Sequence, residues 1–212
     1  MHQPLFKIRQ KGFFGFINAA GEVRIEPQYL EAGEFHNGFT RVRFNDHWIP
    51  MDALGRLLLK RMYRHVGPFE EGLARVQVVQ AWGFIDERGN EVIPARLEAA
   101  GNFSEGLAAV QIQDKTGYLN PQGQWVIKPR FESGDAFRGG LAPAGQGGQC
   151  GYVDTSGAFV IAPAWDAGRP FEGSVAVVQR GKYWGLIDRQ GREVVAPQFE
   201  FVPHHVQGEF FD

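Results

Sequence analysis

One glycine returns at a fixed interval along the whole chain. The step from Gly21 to Gly55 also separates every later member of the series from the one before it. The series consists of Gly21, Gly55, Gly89, Gly123, Gly157 and Gly191. An uninterrupted period of this length indicates tandem repeats that stack on one another, because a unit this small cannot bury its own apolar surface. Positions one period apart therefore form columns, and the chain contains six copies of one unit.

Three other columns keep the same period. One is a glycine that follows an aromatic residue, one is an Asp or Asn before a turn, and one is a bulky side chain. Their members are Gly15, Gly83, Gly117, Gly151 and Gly185, with Ile49 in the second copy; Asn18, Asp52, Asp86, Asn120, Asp154 and Asp188; and Tyr29, Tyr63, Leu97, Phe131, Trp165 and Phe199. An Asp at the first corner and a Gly at the fourth are typical of a type I turn, as in the stretch DERG.

Short β-branched runs surround these turns and predict three strands per copy. The first strand carries the aromatic and glycine columns, and the second is a run such as EVVAP that we expect to end near its proline, which cannot donate to a sheet. A connector then leads to a third strand, over residues 39–44 in the first copy. Residues 5–10 align with that third strand and predict an additional N-terminal strand.

These residues resemble the bacterial tryptophan-glycine (WG) repeat family. The match is sharpest in WGFIDERGNEVIP with FSEGLAAV and in WGLIDRQGREVVAPQFE, and it covers nearly the whole chain. The second copy, HWIPMDALGRLLLKRMYRH, lacks both the glycine and the proline and departs most from the pattern. The resemblance implies a β-rich repeat scaffold without assigned enzymatic activity, and it extends to relatives that look like neutralising partners of bacterial toxins.

The fold that these columns predict is all-β. We expect six tandem 34-residue, three-stranded repeats in one domain over residues 1–212, with neighbouring copies sharing their cores. An open, curved, solenoid-like array suits three strands per copy. The alternative is a closed six-bladed, propeller-like ring, in which the N-terminal strand would complete the last copy.

Composition narrows the classes of partner. Lys and Arg total 22 against 24 Asp and Glu, so the net charge is -2, and nucleic acid is an unexpected partner for a chain without a basic field. Cys150 is the single cysteine, which fits a reducing compartment. The sequence contains no run of about 18 apolar residues, so membrane insertion is not predicted. These features predict a cytoplasmic protein.

The residue types that often carry chemistry have structural explanations here. We expect no metal site from the dispersed histidines, including His204 and His205, and we expect Cys150 to be a small buried residue. The acidic column Glu98, Glu132, Asp166 and Glu200 could supply paired carboxylates, but its periodicity favours a structural role at the connector. The glycine-rich stretch AGQGGQCG predicts a hairpin loop. Neither a catalytic residue nor a cofactor is predicted.

A group of basic residues in the first two copies is the candidate binding site. We expect stacking to bring them into one patch that meets an acidic protein surface, with Tyr63 or Met62 as an apolar anchor. The predicted patch consists of Arg41, Arg43, Lys60, Arg61, Tyr63, Arg64, His65 and Arg75. The sequence thus predicts a non-enzymatic protein-binding scaffold, with toxin neutralisation as one form of it. A glycan-binding module, which would use repeated exposed rings, is the alternative, and solvated charges on a degenerate second copy are the simpler explanation of the patch.

Overall fold

Every regular element in the computed structural model is a β-strand. The model describes residues 4–58 and 60–202, and within them no helix is long and apolar enough to cross a membrane. The chain divides into two compact units, Met1–Arg130 and Phe131–Asp212. The all-β class and the sixfold repeat predicted from the sequence are confirmed.

The strands form six antiparallel sheets in which each strand pairs with its neighbours along the chain. The first three sheets are β1 (Leu5–Gln10), β2 (Phe13–Asn18) and β3 (Val23–Tyr29); β4 (Glu31–Ala32), β5 (Phe39–Phe44) and β6 (His47–Asp52); and β7 (His65–Glu70), β8 (Leu73–Val78), β9 (Ala81–Asp86) and β10 (Glu91–Leu97). The last three are β11 (Ala99–Ala100), β12 (Ala108–Ile112), β13 (Lys115–Leu119) and β14 (Trp125–Phe131); β15 (Ala142–Gln146), β16 (Gln149–Val153) and β17 (Phe159–Trp165); and β18 (Ala167–Gly168), β19 (Val175–Arg180), β20 (Tyr183–Asp188) and β21 (Glu193–Phe199).

The sheets are out of phase with the sequence copies. The third strand of one copy pairs with the first strand of the next, as β5 does with β6 and β12 does with β13. The N-terminal strand β1 occupies the predicted third-strand position and pairs with β2, so it belongs to the first sheet. Each hairpin between copies therefore lies inside a sheet.

Four sheets contain an edge strand that the sequence did not predict, and in three of them it is the fourth strand. It is two residues long in β4, β11 and β18, where a piece of the connector pairs with the third strand of the same copy. In the third sheet the corresponding strand is longer, because β7 pairs with β8 over residues 65–70. The first, third, fourth and fifth copies each contain the three predicted long strands, and the third strand predicted for the sixth copy lies outside the described residues.

The glycine after the aromatic residue is required by close contact with the second strand. A Cβ at Gly117 would lie 2.6 Å from the Ile127 carbonyl oxygen, and the corresponding glycines face a similar clash. The pairing register shifts beside this glycine in the first, third, fifth and sixth sheets. The second strand consequently passes through its proline, as at Pro197 in β21, and the prediction that the proline ends the strand is wrong. The irregular pairing removes the need for an N–H at that position.

The turn predicted from DERG is confirmed in all six copies. The Asp86 Oδ1 atom accepts hydrogen bonds from the backbone N–H groups of Arg88 and Asn90, at 2.9 and 2.7 Å. The Gly89 N–H donates to the Asp86 carbonyl, and this glycine has a φ of 74°, which glycine adopts at little cost. The carboxylate or amide makes the same pair of bonds at Asn18, Asp52, Asn120, Asp154 and Asp188.

Successive sheets share hydrophobic cores, as the repeat predicts. Phe16 and Ile25 of the first sheet pack with Val42 and Ile49 of the second. In the second unit, Tyr152 of the fifth sheet packs with residues of the sixth. Burial of apolar side chains from two sheets in one cluster is the stabilisation that a single copy of the repeat lacks.

The second copy is irregular after its first strand. Ile49, which stands in the glycine column, is buried. Instead of a long second strand, the chain makes the isolated bridges Met51 to Leu57 and Trp48 to Tyr63. The departure of this copy from the family pattern therefore changes its structure.

Candidate functional site

In four of the six sheets, a positively charged side chain lies over the aromatic ring that precedes the glycine column. The Arg41 guanidinium carbon is 4.6 Å from the centre of the Trp48 ring, and that of Arg75 is 5.4 Å from the centre of Trp82. In the first copy the Lys7 ammonium lies 5.6 Å from the centre of the Phe14 ring. Lys7, Arg41 and Arg75 form one column, called here the cation column, and the rings form the tryptophan column.

Each of these cations also bonds to the next sheet. Arg41 Nη1 donates to the Val66 carbonyl at 2.8 Å, and Arg75 Nη1 donates to the Ala100 carbonyl at 2.9 Å. Lys7 Nζ donates to the Ala32 carbonyl, which lies in the same column as the other two acceptors. The cation therefore joins the ring of one sheet to the edge of the following sheet, and we call this arrangement the cation clamp.

The sixth sheet builds the same clamp from a different position. Its cation column holds Val177, and Arg169, which bonds backbone to backbone with Val177, supplies the guanidinium instead. The Arg169 guanidinium carbon lies 4.7 Å from the centre of the Trp184 ring, and its Nη1 donates to the Val202 carbonyl at 2.9 Å. Gly33 and Gly67 stand in the Arg169 column of the earlier copies, where they leave room for the stems of Arg41 and Arg75.

The fifth sheet has neither a ring nor a basic residue at these positions. Cys150 stands in the tryptophan column, Pro143 in the cation column and Asp135 in the column of Arg169. A cavity of about 350 Å³ is lined by all three residues, and by Gly168, whose carbonyl lies in the acceptor column. The carboxyl-bearing residues Glu132 and Asp166 also line it. The cavity thus occupies the place of a clamp.

Two arginines of the predicted basic patch are part of the scaffold. Arg41 and Arg75 are partly buried and hold the clamps of the second and third sheets. Their guanidinium groups lie against tryptophan rings and bond to backbone carbonyls, so both side chains have a structural role, and their predicted contact with a partner stays a prediction. Their exposed charge is correspondingly reduced.

The other predicted cations differ in their surroundings. Arg43 is paired with Glu31, the exposed Lys60 bonds to Asn90, and the exposed Arg61 lies 3.4 Å from Glu91. The contacts of Lys60 and Arg61 run from the second copy to the turn and second strand of the third copy. Lys60 and Arg61 are exposed, whereas Arg41 and Arg75 of the clamps are partly buried.

Two members of the predicted patch are unsuited to bind a partner directly. Tyr63 is 2% exposed, so the prediction that it is an apolar anchor is wrong, while Met62 beside it is 51% exposed. Burial, followed by the charges of Arg41 and Arg75, lowers the pKa of His65 from 6.5 to about 4. His65 is therefore neutral near pH 7 and packs edge-on against the Trp82 ring.

Arg64 departs from an acidic column that has a structural role. Glu98 accepts backbone hydrogen bonds from Gln113 and Asp114 in the hairpin between copies, at 2.8 and 3.0 Å. Glu132 makes the equivalent bonds to Gly147 and Gly148, and Asp166 bonds to Gly181. The predicted structural role of the acidic column is thus confirmed, and Arg64 places an exposed cation where three other copies place a carboxylate that holds the hairpin.

The remaining candidates for chemistry fit the scaffold. Cys150 is buried, and burial raises the pKa of its thiol to about 11, which makes it a poor nucleophile. The stretch AGQGGQCG forms the predicted hairpin, with Gly147 and Gly148 at positive φ between β15 and β16. No group of three metal-binding side chains occurs in residues 4–58 and 60–202. His204 and His205 lie outside the described residues.

Known structures resemble this chain in fold. Hsv2 from Kluyveromyces lactis is 11% identical, with a TM-score of 0.54 over 88% of this chain and 71% of that protein. Hsv2 from Kluyvelomyces marxianus is 10% identical, with a TM-score of 0.51 over 88% and 76% of the two chains. Dihydro-heme d1 dehydrogenase NirN in complex with DHE is 15% identical, with a TM-score of 0.50 over 97% of this chain and 57% of that one. At these identities the likeness concerns the fold alone.

A family model accounts for the repeats themselves. None of the curated proteins matches the sequence. The model described as WG containing repeat matches residues 14–48, 51–78, 82–115, 117–150, 151–184 and 184–205. These six segments span most of the chain and recur with the structural copies. The chain therefore belongs to the WG containing repeat family.

Proposed function

We propose that this protein is a non-enzymatic scaffold that binds another protein through the irregular segment of its second copy. The observation that carries the proposal is Arg64, which replaces the acidic residue that closes the hairpin in other copies. Around it the segment exposes Lys60, Arg61 and Met62, a combination of basic and flexible apolar side chains that suits an acidic protein surface. We call residues 60–64, without the buried Tyr63, the Arg64 patch.

The columns of the scaffold support a binding role over an enzymatic one. The turn carboxylates, the acidic column and the cation clamps are each engaged in hydrogen bonds within the fold. Side chains that are committed to the same contact in several copies are poor candidates for a single reaction centre. The Arg64 patch, by contrast, occurs once, and its four side chains are exposed.

The exposed rings favour a single protein partner over a glycan. A repeating glycan surface would place rings in the same column of several copies, as the sequence hypothesis requires. The most exposed rings in the described part of the chain occupy six different columns: Phe6, Phe13, Phe44, Trp125, Phe199 and Phe201. Within the protein-binding class, we propose a bacterial, cytoplasmic role in which the partner is a toxin whose active surface is covered.

The test compares affinity capture by the wild type with capture by a variant of the Arg64 patch. Arg64→Glu with Met62→Asp reverses a charge and removes the apolar side chain, while Arg96→Glu reverses an exposed charge in the Met62 column of the next copy. We expect one protein at near-equal molar amount with the wild type and with Arg96→Glu, and its loss with the patch variant. High salt is expected to weaken the complex, because the contact is electrostatic.

Identification of the partner tests the finer proposal. If the captured protein arrests growth when expressed alone, and co-expression of the wild type but not of the patch variant restores growth, the toxin role is supported. Equal capture of the same proteins by all three forms would refute the Arg64 patch. A partner that does not affect growth would support the proposal of a protein-binding scaffold and refute that of toxin neutralisation.

A further inference from the structure

We propose that the cavity of the fifth sheet binds a guanidinium group supplied by a ligand. Four other sheets place a cation of the chain at the equivalent position, three of them a guanidinium. In each of the four, that cation donates to a carbonyl in one column, at Ala32, Val66, Ala100 and Val202. The fold therefore shows, within one chain, which chemical group this position accepts.

The fifth sheet keeps the acceptor and lacks the donor. Gly168 supplies the carbonyl of the acceptor column and lines the cavity, while Pro143 and Cys150 replace the cation and the ring. Both replacements are much smaller than an arginine or a tryptophan. The resulting volume of about 350 Å³ lies within the roughly 300–1,000 Å³ of small-molecule sites.

The cavity is lined by acidic residues, whereas the equivalent position in four other sheets holds a basic side chain. Asp135 stands in the column of Arg169, so an acidic residue replaces a basic one in this column, and its Oδ1 also accepts a hydrogen bond from the Ala136 N–H at 2.7 Å. Glu132 and Asp166 add two carboxyl groups at the rim, where each also accepts backbone hydrogen bonds from a hairpin. A carboxylate has several lone pairs, so such a group accepts further donors, and a guanidinium supplies five in a planar arrangement.

The apolar part of the lining selects a guanidinium on a hydrocarbon stem. Cys150 is 7% exposed, and burial keeps its thiol protonated. It lines the cavity with Pro143 and Ala167, so the space left by the missing indole is bounded by apolar atoms. An alkylguanidinium, as in an arginine side chain or a free arginine derivative, places its stem there and its charge beside Asp135.

The first experiment compares two probes of the same shape on the full chain. Butylguanidinium carries the charge, and butylurea is its neutral analogue. Calorimetry is expected to show butylguanidinium binding at least about tenfold more tightly, with amide chemical shifts that change around Gly168. Equal binding of the two probes, or no binding of either, would overturn the proposal.

Two variants test the residues that carry the inference. Asp135→Asn keeps the shape and is expected to weaken butylguanidinium about tenfold, with an unchanged unfolding temperature. Asp135→Arg with Cys150→Trp rebuilds the clamp and is expected to abolish binding while it raises the unfolding temperature. Unchanged affinity in Asp135→Asn would refute the role of this carboxylate, and this variant remains decisive if the double variant does not fold.

The source of the guanidinium is distinguished by two further ligands. Tighter binding of free arginine than of N-acetylarginine N-methylamide assigns the site to a metabolite, and the reverse order assigns it to an arginine side chain of a protein. Both results require the same cavity and differ only in the ligand. Loss of butylguanidinium binding in a protein that still captures its partner through the Arg64 patch separates this inference from the proposed function.

Discussion

Arg169 lies over Trp184 with its guanidinium carbon 4.7 Å from the ring centre, although it directly follows the short strand β18, whereas the Arg41 that lies over Trp48 is part of the long strand β5. The same contact is therefore reached from two neighbouring columns of the repeat. In the sixth sheet the two columns hold Arg169 and Val177, and in the second they hold Gly33 and Arg41. The position of the guanidinium is retained while the residue that carries it changes.

This exchange predicts a rescue. Arg169→Gly removes the contact with Trp184 and the bond to the Val202 carbonyl, and is expected to lower the free energy of unfolding by about 1–2 kcal/mol. Adding Val177→Arg restores the arrangement of the second and third sheets and is expected to recover most of the loss. Urea unfolding of the single and double variants measures both effects. A double variant as unstable as Arg169→Gly would show that the two columns are not equivalent.

Replacing the glycine that follows the aromatic residue with alanine is expected to lower the free energy of unfolding, although it adds only one methyl group. Gly117→Ala would place its Cβ 2.6 Å from the Ile127 carbonyl oxygen, and is expected to destabilise the protein by about 1–3 kcal/mol. Gly101→Ala is the matched control, because the nearest atom would lie 3.5 Å away. The control is expected to be neutral or slightly stabilising. Equal unfolding midpoints in urea for the two variants would contradict the steric explanation.

The substitution Arg64→Glu is expected to weaken partner binding and to raise the stability of the fold. Arg64→Glu would supply the carboxylate that Glu98 provides to its hairpin, now directed at the N–H groups of Val79 and Gln80. We expect a gain of about 1 kcal/mol in the free energy of unfolding. Arg64→Gln removes the charge without supplying a carboxylate and is the control. Thermal unfolding that finds Glu no more stable than Gln would exclude the hairpin contact.

His65 predicts a loss of stability in mild acid. The pKa of its imidazole is about 4 in the folded protein and about 6.5 when unfolded, so the unfolded chain binds the proton more tightly. The contribution of neutral His65 is complete above pH 6.5 and is lost as the pH falls towards 4, by about 3 kcal/mol. His65→Gln is expected to flatten the dependence of the urea midpoint on pH over this window. An imidazole that titrates near 6.5 by NMR would contradict the burial of this group.

The carboxylates of three turns titrate below this pH window. Hydrogen bonds to backbone and side-chain donors outweigh desolvation and lower the pKa values of Asp86, Asp154 and Asp188 below 3.8. These carboxylates bind protons only at lower pH, so they do not obscure the titration of His65. Their stabilising bonds are retained down to about pH 4 and lost below it.

The turns and long strands were predictable because each depends on nearby residues. Asp86 and Gly89 identify their turn within four positions, and the period of the repeat supplies that information again in every copy. The two-residue strand Ala99–Ala100 was not predictable, since such a segment is too short to show alternation and pairs only because β12 lies beside it. Passage of the second strand through Pro197 likewise depends on a shift in pairing register that no local pattern reveals.

The basic patch was only partly predictable, because the sequence alone does not show which arginine side chains are exposed and which are partly buried. Arg41 and Arg75 instead lie over tryptophans on the adjacent strands, a contact between residues in different strands of one sheet. One signal was present in the sequence: the copies with Thr116 and Cys150 in the tryptophan column have Ala109 and Pro143 in the cation column. Joint variation of these columns within one chain indicates a contact, whereas the cavity that results requires the packed structure.

The offset between sheets and sequence copies has a consequence for how such a chain can lengthen. The hairpin of β5 and β6 joins two copies inside one sheet, so every sheet is shared between neighbours in the sequence. An insertion of one full period keeps every strand pairing wherever the break falls, because the inserted residues supply a strand equivalent to each one that is displaced. Duplication of one full period therefore needs no particular start point.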